Sequence, residues 1–266
     1  MSTSPGLAQV IPFDRVDLAT TPVSGLGRTV TRTVGGLTGA ATAGVRAATR
    51  RLTQEPPLAT DDWGCDPVLV RNVMLAAQLR WDVTTGGEHH LPKRAGALIV
   101  VNAPRFLLTP VFAAFSISEA VDRPVRFVGR SDDDLIGSLG RRLGGLLDHP
   151  DEVAGALRAD ELVVMGAPGR SGTRRVGKID HTIVGAALAA GTKVFPAAST
   201  SSPFSRRARV EIGTAARVPR RRRGPLAELE LAARLRTDIE ALLATMGDIN
   251  TGTPLDWLPL SGMGGY

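Results

Sequence analysis

"AGALIVVNAPRFLLTP", residues 95–110, holds an uninterrupted apolar run at 97–101 (ALIVV). A run this short and this rich in β-branched residues predicts a strand covered on both faces, the pattern of a parallel sheet. In α/β proteins the loop that leaves such a strand is where ligands and active-site groups gather. Here that loop offers only Asn102 and Arg105 as polar side chains before Leu108, and neither is an ordinary nucleophile or general base.

Working outward, residues 66–80 read as a helix with Asp66 at the N-cap and Pro67 in the first turn. A short strand at 81–84 and a Gly-Gly turn lead to the strand at 97–101. Downstream, the pattern predicts helices over 107–120, 134–147, 151–159 and 179–190, and strands over 124–130, 161–165, 192–197 and 208–213. Leu226, Leu229, Leu231, Leu235, Ile239, Leu242 and Leu243 give residues 225–246 a helical apolar stripe. Strands alternating with helices imply an α/β fold, a mixed central sheet flanked by helices.

The chain has 266 residues, 43% of them hydrophobic, enough for a substantial core. Its net charge of +6 comes mainly from arginine, since Lys93, Lys178 and Lys193 are the only lysines. A pI near 10.5 favours anionic partners: phosphates, acidic membrane surfaces or nucleic acid. The single Cys65 excludes an internal disulfide and fits a reducing compartment. Neither a secretory signal nor a run of about 18 apolar residues is visible, so the expectation is a cytoplasmic, soluble or peripheral protein.

Residues 1–23 are mixed in character and read as a poorly ordered N-terminus. Over 24–53, Leu26, Val30, Val34, Leu37, Ala41, Val45, Ala48 and Leu52 recur at intervals of three or four residues. Arg28, Arg32, Arg46, Arg50 and Arg51 punctuate the polar side, with no acidic residue between Leu18 and Thr53. That combination suits a basic amphipathic helix folding on an anionic lipid surface. A flexible linker is the alternative, and Gly35, Gly36, Gly39 and Gly44 favour it, each costing up to about 1 kcal/mol in a helix. A main body over 61–246 follows, and residues 247–266 form a Gly/Pro-rich tail.

Among candidate motifs, Gly172 to Lys178 satisfies G-x-x-x-x-G-K, but Ile179 stands where a magnesium-ligating Ser or Thr belongs. A basic glycine-rich loop, with Arg170, Arg174 and Arg175, still suits an anion. His89, His90, His149 and His181 show no metal-ligand spacing with cysteines or carboxylates, so no metal is expected. His181, beside Asp180 at a helix start, reads as capping detail. Arg206, Arg207, Arg209, Arg217 and Arg220, Arg221, Arg222 and Arg223 form the densest basic region. An aromatic content of 4% and the lack of a recognised module argue against nucleic acid there and leave an anionic membrane surface.

The order of segments over roughly 66–246 resembles the glycerolphosphate/lysophosphatidate acyltransferase family. "VTTGGEHHLPKRAGALIVVN" (83–102) is similar to that family's lead-in, and "ADELVVMGAPGRSG" (159–172) to its strand and F-P-E-G-T-R-S loop. "AALAAGTKVFPAAS" (186–199) and "ARVEIGTAARVPR" (208–220) resemble its later strands. The resemblance implies a glycerolphosphate acyltransferase-like sheet and acyl transfer from acyl-CoA to a lysophospholipid. Family members carry a histidine and, five residues on, an aspartate: the histidine deprotonates the acceptor hydroxyl and the carboxylate fixes its tautomer. The corresponding positions here are Ala103 and Leu108, which can do neither. The family's second-block arginine has His149 as its nearest equivalent, and Pro168 stands nearest its third-block glutamate.

The resemblance therefore implies a pseudoenzyme of phospholipid metabolism with no catalytic residues of the family type. It would bind a lipid or acyl chain at a membrane surface or regulate a partner acyltransferase, and need no cofactor. Arg170, with Gly169, Ser171 and Arg105, would hold the ligand's phosphate. Arg28, Arg32, Arg46, Arg50, Arg51 and Arg220 to Arg223 would face the anionic surface. Two alternatives stand beside it: an active acyltransferase using acyl-CoA and a non-standard catalytic group, and a basic nucleic-acid-binding protein.

Overall fold

The computed structural model describes residues 60–78, 82–103, 108–132, 134–168, 175–201, 207–218 and 224–247. The chain divides into two units, Met1–Arg51 and Leu52–Tyr266, and every described residue belongs to the second. The expected N-terminus (1–23), basic segment (24–53) and most of the C-terminal tail (247–266) lie outside the described residues.

Asp66 starts the body. Its Oδ1 accepts from the backbone N–H groups of Val68 and Leu69 at 3.1 and 3.0 Å, capping helix α1, Pro67–Gln78. Its other oxygen accepts from Arg142 at 2.8 Å. After strand β1 (Asp82–Gly86) and a 3-10 turn (Glu88–His90), the buried run forms strand β2, Ala97–Ala103. Helix α2 (Leu108–Val121), strand β3 (Val125–Arg130), helix α3 (Asp134–Arg142) and strand β4 (Gly145–Leu147) follow. Then come helix α4 (Pro150–Arg158), strand β5 (Leu162–Pro168), helix α5 (His181–Ala190), strands β6 (Lys193–Ser201) and β7 (Arg207–Ile212), and helix α6 (Pro225–Met246).

The seven strands form one sheet in the order β1-β7-β6-β2-β5-β3-β4. Strands β2 to β6 run parallel to one another, β7 is antiparallel to β6, and β1 runs parallel to β7. The fold is thus α/β with a mixed sheet. Strand β2 lies at its middle, and its alternation divides the core. Leu98 and Val100 pack with Val153 and Leu157 of α4, Val184 of α5 and Leu235 of α6. Ala97, Ile99 and Val101 face the other way, toward Ala113, Ala114 and Ile117 of α2. Each such buried Leu or Ile contributes about 1.5–3 kcal/mol.

Two expectations change. Residues 134–147 are not one helix: α3 stops at Arg142, Gly144 takes a φ of +88°, and β4 then pairs with β3. Glycine permits that left-handed turn, and a residue with a Cβ would resist it. Strand β2 also runs past 101, because Asn102 takes part in the sheet. Its Nδ2 donates to the Ser199 carbonyl at 2.9 Å and its Oδ1 accepts from the Ser199 N–H at 2.6 Å.

Arg126 of β3 is 1% exposed and lies between Glu161 and Asp61, at 3.1 and 2.5 Å. Such a buried cation is tolerated only when paired. Burial pushes the neighbouring Cys65 thiol up to about 11, which leaves it a core residue and not a nucleophile. Among the described residues no helix is long and apolar enough to cross a membrane.

Candidate functional site

The carboxyl ends of β2, β3 and β5 converge on a cavity of about 530 Å³. It is lined by Ala103, Gly129 and Gly166 and by the segment Lys178 to Thr182 that opens α5. Open α/β sheets bind ligands at this edge. The volume lies in the range of small-molecule sites.

Ala103 is 3% exposed and lines the cavity. Its methyl group and Pro110 lean over Gly166. A Cβ there would stand 2.7 Å from Pro110 Cγ and 2.9 Å from Ala103 Cβ. The polar residue beside it, Asn102, spends its side chain on Ser199. Among the described residues, the corner itself therefore holds no proton acceptor for chemistry. Leu108 begins α2.

Charge enters the cavity from other elements. Asp148 follows β4, Lys178 and Asp180 precede α5, and His181 is the first residue of α5. Asp180 caps that helix: its Oδ1 accepts from the Thr182 N–H at 2.8 Å and from the Thr182 hydroxyl at 2.7 Å. Burial pushes the Asp180 carboxyl up, but the two Thr182 bonds and the attraction of His181 outweigh it and hold the group below its ordinary value. Asp148 goes the other way. Partial burial raises it, and repulsion from Asp180 raises it further.

The end of the glycine-rich loop is tied down. Gly177 N–H donates to the Pro168 carbonyl at 2.5 Å, and Val176 N–H donates to Glu240 of α6 at 3.1 Å. Neither amide is free to cradle a phosphate, contrary to what a P-loop at 172–178 requires. Among the described residues no set of His, Cys, Asp and Glu is arranged to hold a metal.

Of the residues singled out in the sequence, Ala103, Pro168, Lys178, Ile179, Asp180 and His181 line the cavity. Arg105, Gly169, Arg170, Ser171, the N-terminal arginines Arg28, Arg32, Arg46, Arg50 and Arg51, and Arg220 to Arg223 lie outside the described residues. His149 does not line the cavity: it caps α4, its Nδ1 accepting from the Asp151 N–H at 3.4 Å, while its neighbour Asp148 lines the cavity. His181 is more than the capping detail its sequence suggested. The cap is Asp180, and His181 stands in the cavity wall. Sequence reasoning passed over Asp148 and met Lys178 only as the end of a G-x-x-x-x-G-K match, and the signal for the set was the string Lys-Ile-Asp-His-Thr (178–182) at a helix start.

No family model and no curated protein sequence matches the chain. Among solved structures it is similar to the crystal structure of the 1-acyl-sn-glycerophosphate (LPA) acyltransferase PlsC from Thermotoga maritima. The TM-score is 0.50 at 13% identity, over 67% of this chain and 78% of that one. The chain has an acyltransferase-like fold. An identity this low speaks for the fold alone, the mixed α/β sheet with flanking helices.

Proposed function

We propose that this acyltransferase-like protein serves phospholipid metabolism by holding a lipid or acyl chain at the strand-end cavity, and that the family's dyad-driven transfer does not run at its corner. The observation that carries this reading is Ala103, a methyl group in the wall of an intact cavity of about 530 Å³. A base cannot be supplied by alanine, whereas a binding site can keep its shape without one. In this reading Arg170, Gly169, Ser171 and Arg105 hold the ligand's phosphate. The basic segments around Arg28 to Arg51 and Arg220 to Arg223 bring the protein to the anionic, cytoplasmic face of a membrane. A partner acyltransferase is the natural recipient of a ligand held without turnover.

A second reading, an active acyl-CoA-dependent lysophospholipid acyltransferase with a non-standard catalytic group, is favoured by one observation: His181 lines the same cavity. Fluorescent lysophosphatidate and palmitoyl-CoA, titrated onto the full chain, test the shared premise. Saturable binding weakened at least tenfold by Arg170→Ala is the expected result, and absence of saturable binding to either probe overturns both readings.

A further inference from the structure

We infer that His181 stands in for the base that the corner has lost. The inference rests on the second reading above and goes beyond it by naming the group and its position.

The four histidines separate cleanly. His89 and His90 lie in the 3-10 turn after β1, where the His90 ring bonds the Ile212 carbonyl at 3.0 Å. His149 caps α4. Of the four, His181 is the one that lines the cavity, which Ala103 also lines. It is half-buried, which leaves it partly open to a ligand.

Asp180 precedes it in the chain and caps α5, its Oδ1 accepting two hydrogen bonds from Thr182, which fixes the start of the helix that carries His181. The other charged groups facing the cavity among the described residues are Lys178, on the same segment, and Asp148, from the end of β4. Ala103 and Gly166, which line the same cavity, are small and leave it volume for a reacting group.

The step balances with an acyl thioester as donor and a lipid hydroxyl as acceptor. The imidazole nitrogen takes the hydroxyl proton as the oxygen attacks the thioester carbonyl carbon. A C–O bond forms, the tetrahedral adduct collapses, and the C–S bond breaks. The departing thiolate takes the proton back from the imidazolium, giving a free thiol, a new ester and neutral His181.

The test uses the full chain with palmitoyl-CoA and, in turn, lysophosphatidate, lysophosphatidylethanolamine and lysophosphatidylcholine, reading thiol release and labelled diacyl product together. Turnover with at least one acceptor is expected. His181→Ala and His181→Gln should each lower kcat by about 10²–10⁴-fold with KM little changed, the contribution typical of a general base. The rise of rate with pH in the parent protein should vanish in both variants, and their thermal midpoints should match the parent's. Binding of both probes without turnover for any acceptor overturns the inference and leaves the lipid-binding reading standing. Turnover that survives both substitutions overturns it as well and places the base elsewhere.

Discussion

At Asp148 two effects act in one direction: partial burial and the nearby Asp180 charge both raise its carboxyl above the ordinary value. A group that binds its proton more tightly when folded makes stability fall as pH rises from its unfolded value through its native one, and the loss persists at neutral pH. Asp148→Asn removes the ionisable group. It should raise the thermal midpoint at pH 7, by at most about 2 °C because water at the cavity mouth screens the pair, and give no gain near pH 3. Equal gains at both pH values would show that repulsion is not the cause. Asn102 teaches a related lesson about reading single residues. In the sequence it is one of two polar groups in a suspect loop, yet in the fold it is 7% exposed and holds β2 to β6. Its partner, Ser199, lies far along the chain, and no local pattern announces it.

Gly166 decides how closely α2 approaches β5. The helix enters at Pro110, and both Pro110 and the Ala103 methyl occupy space that any side chain at 166 would need. Gly166→Ala should destabilise by about 1–3 kcal/mol through overpacking, seen as a lower urea midpoint at unchanged slope. A midpoint equal to the parent's would mean that the proline ring yields without cost. The same closeness explains what could be read from sequence at the level of elements. Helix α6 is legible from its own leucine spacing and β2 from its apolar run, because both patterns are local. Strand β4 is not, because its three residues, Gly145 to Leu147, become a strand only by pairing with β3. The cavity is hidden for the same reason. It exists because β2, β5 and β3 are neighbours in the sheet, and the Asp148 and His181 that enter it follow different strands.

Across the whole molecule, charge and folding are distributed differently. Both cores draw their buried residues from between Leu91 and Leu243, inside the unit Leu52–Tyr266. Residues 1–51 hold Arg15, Arg28, Arg32, Arg46, Arg50 and Arg51 against Asp14 and Asp17, so four of the six net positive charges sit there. A basic residue close to an anionic bilayer contributes about 1 kcal/mol, so removing a net four charges costs up to about 4 kcal/mol, roughly a thousandfold in membrane affinity. A chain beginning at Leu52 should therefore melt as the full chain does, since it keeps both cores, while losing flotation with phosphatidylglycerol-containing vesicles at low salt. The full chain should float at low salt and come off as ionic strength rises toward 1 M, where the screening length shrinks to about 3 Å. If both chains float alike, the membrane contact belongs to the α/β body, with Arg220 to Arg223 as the next residues to change. If neither floats at low salt, the excess charge serves some other anion, and the cavity would have to receive its lipid from a carrier instead of from a bilayer.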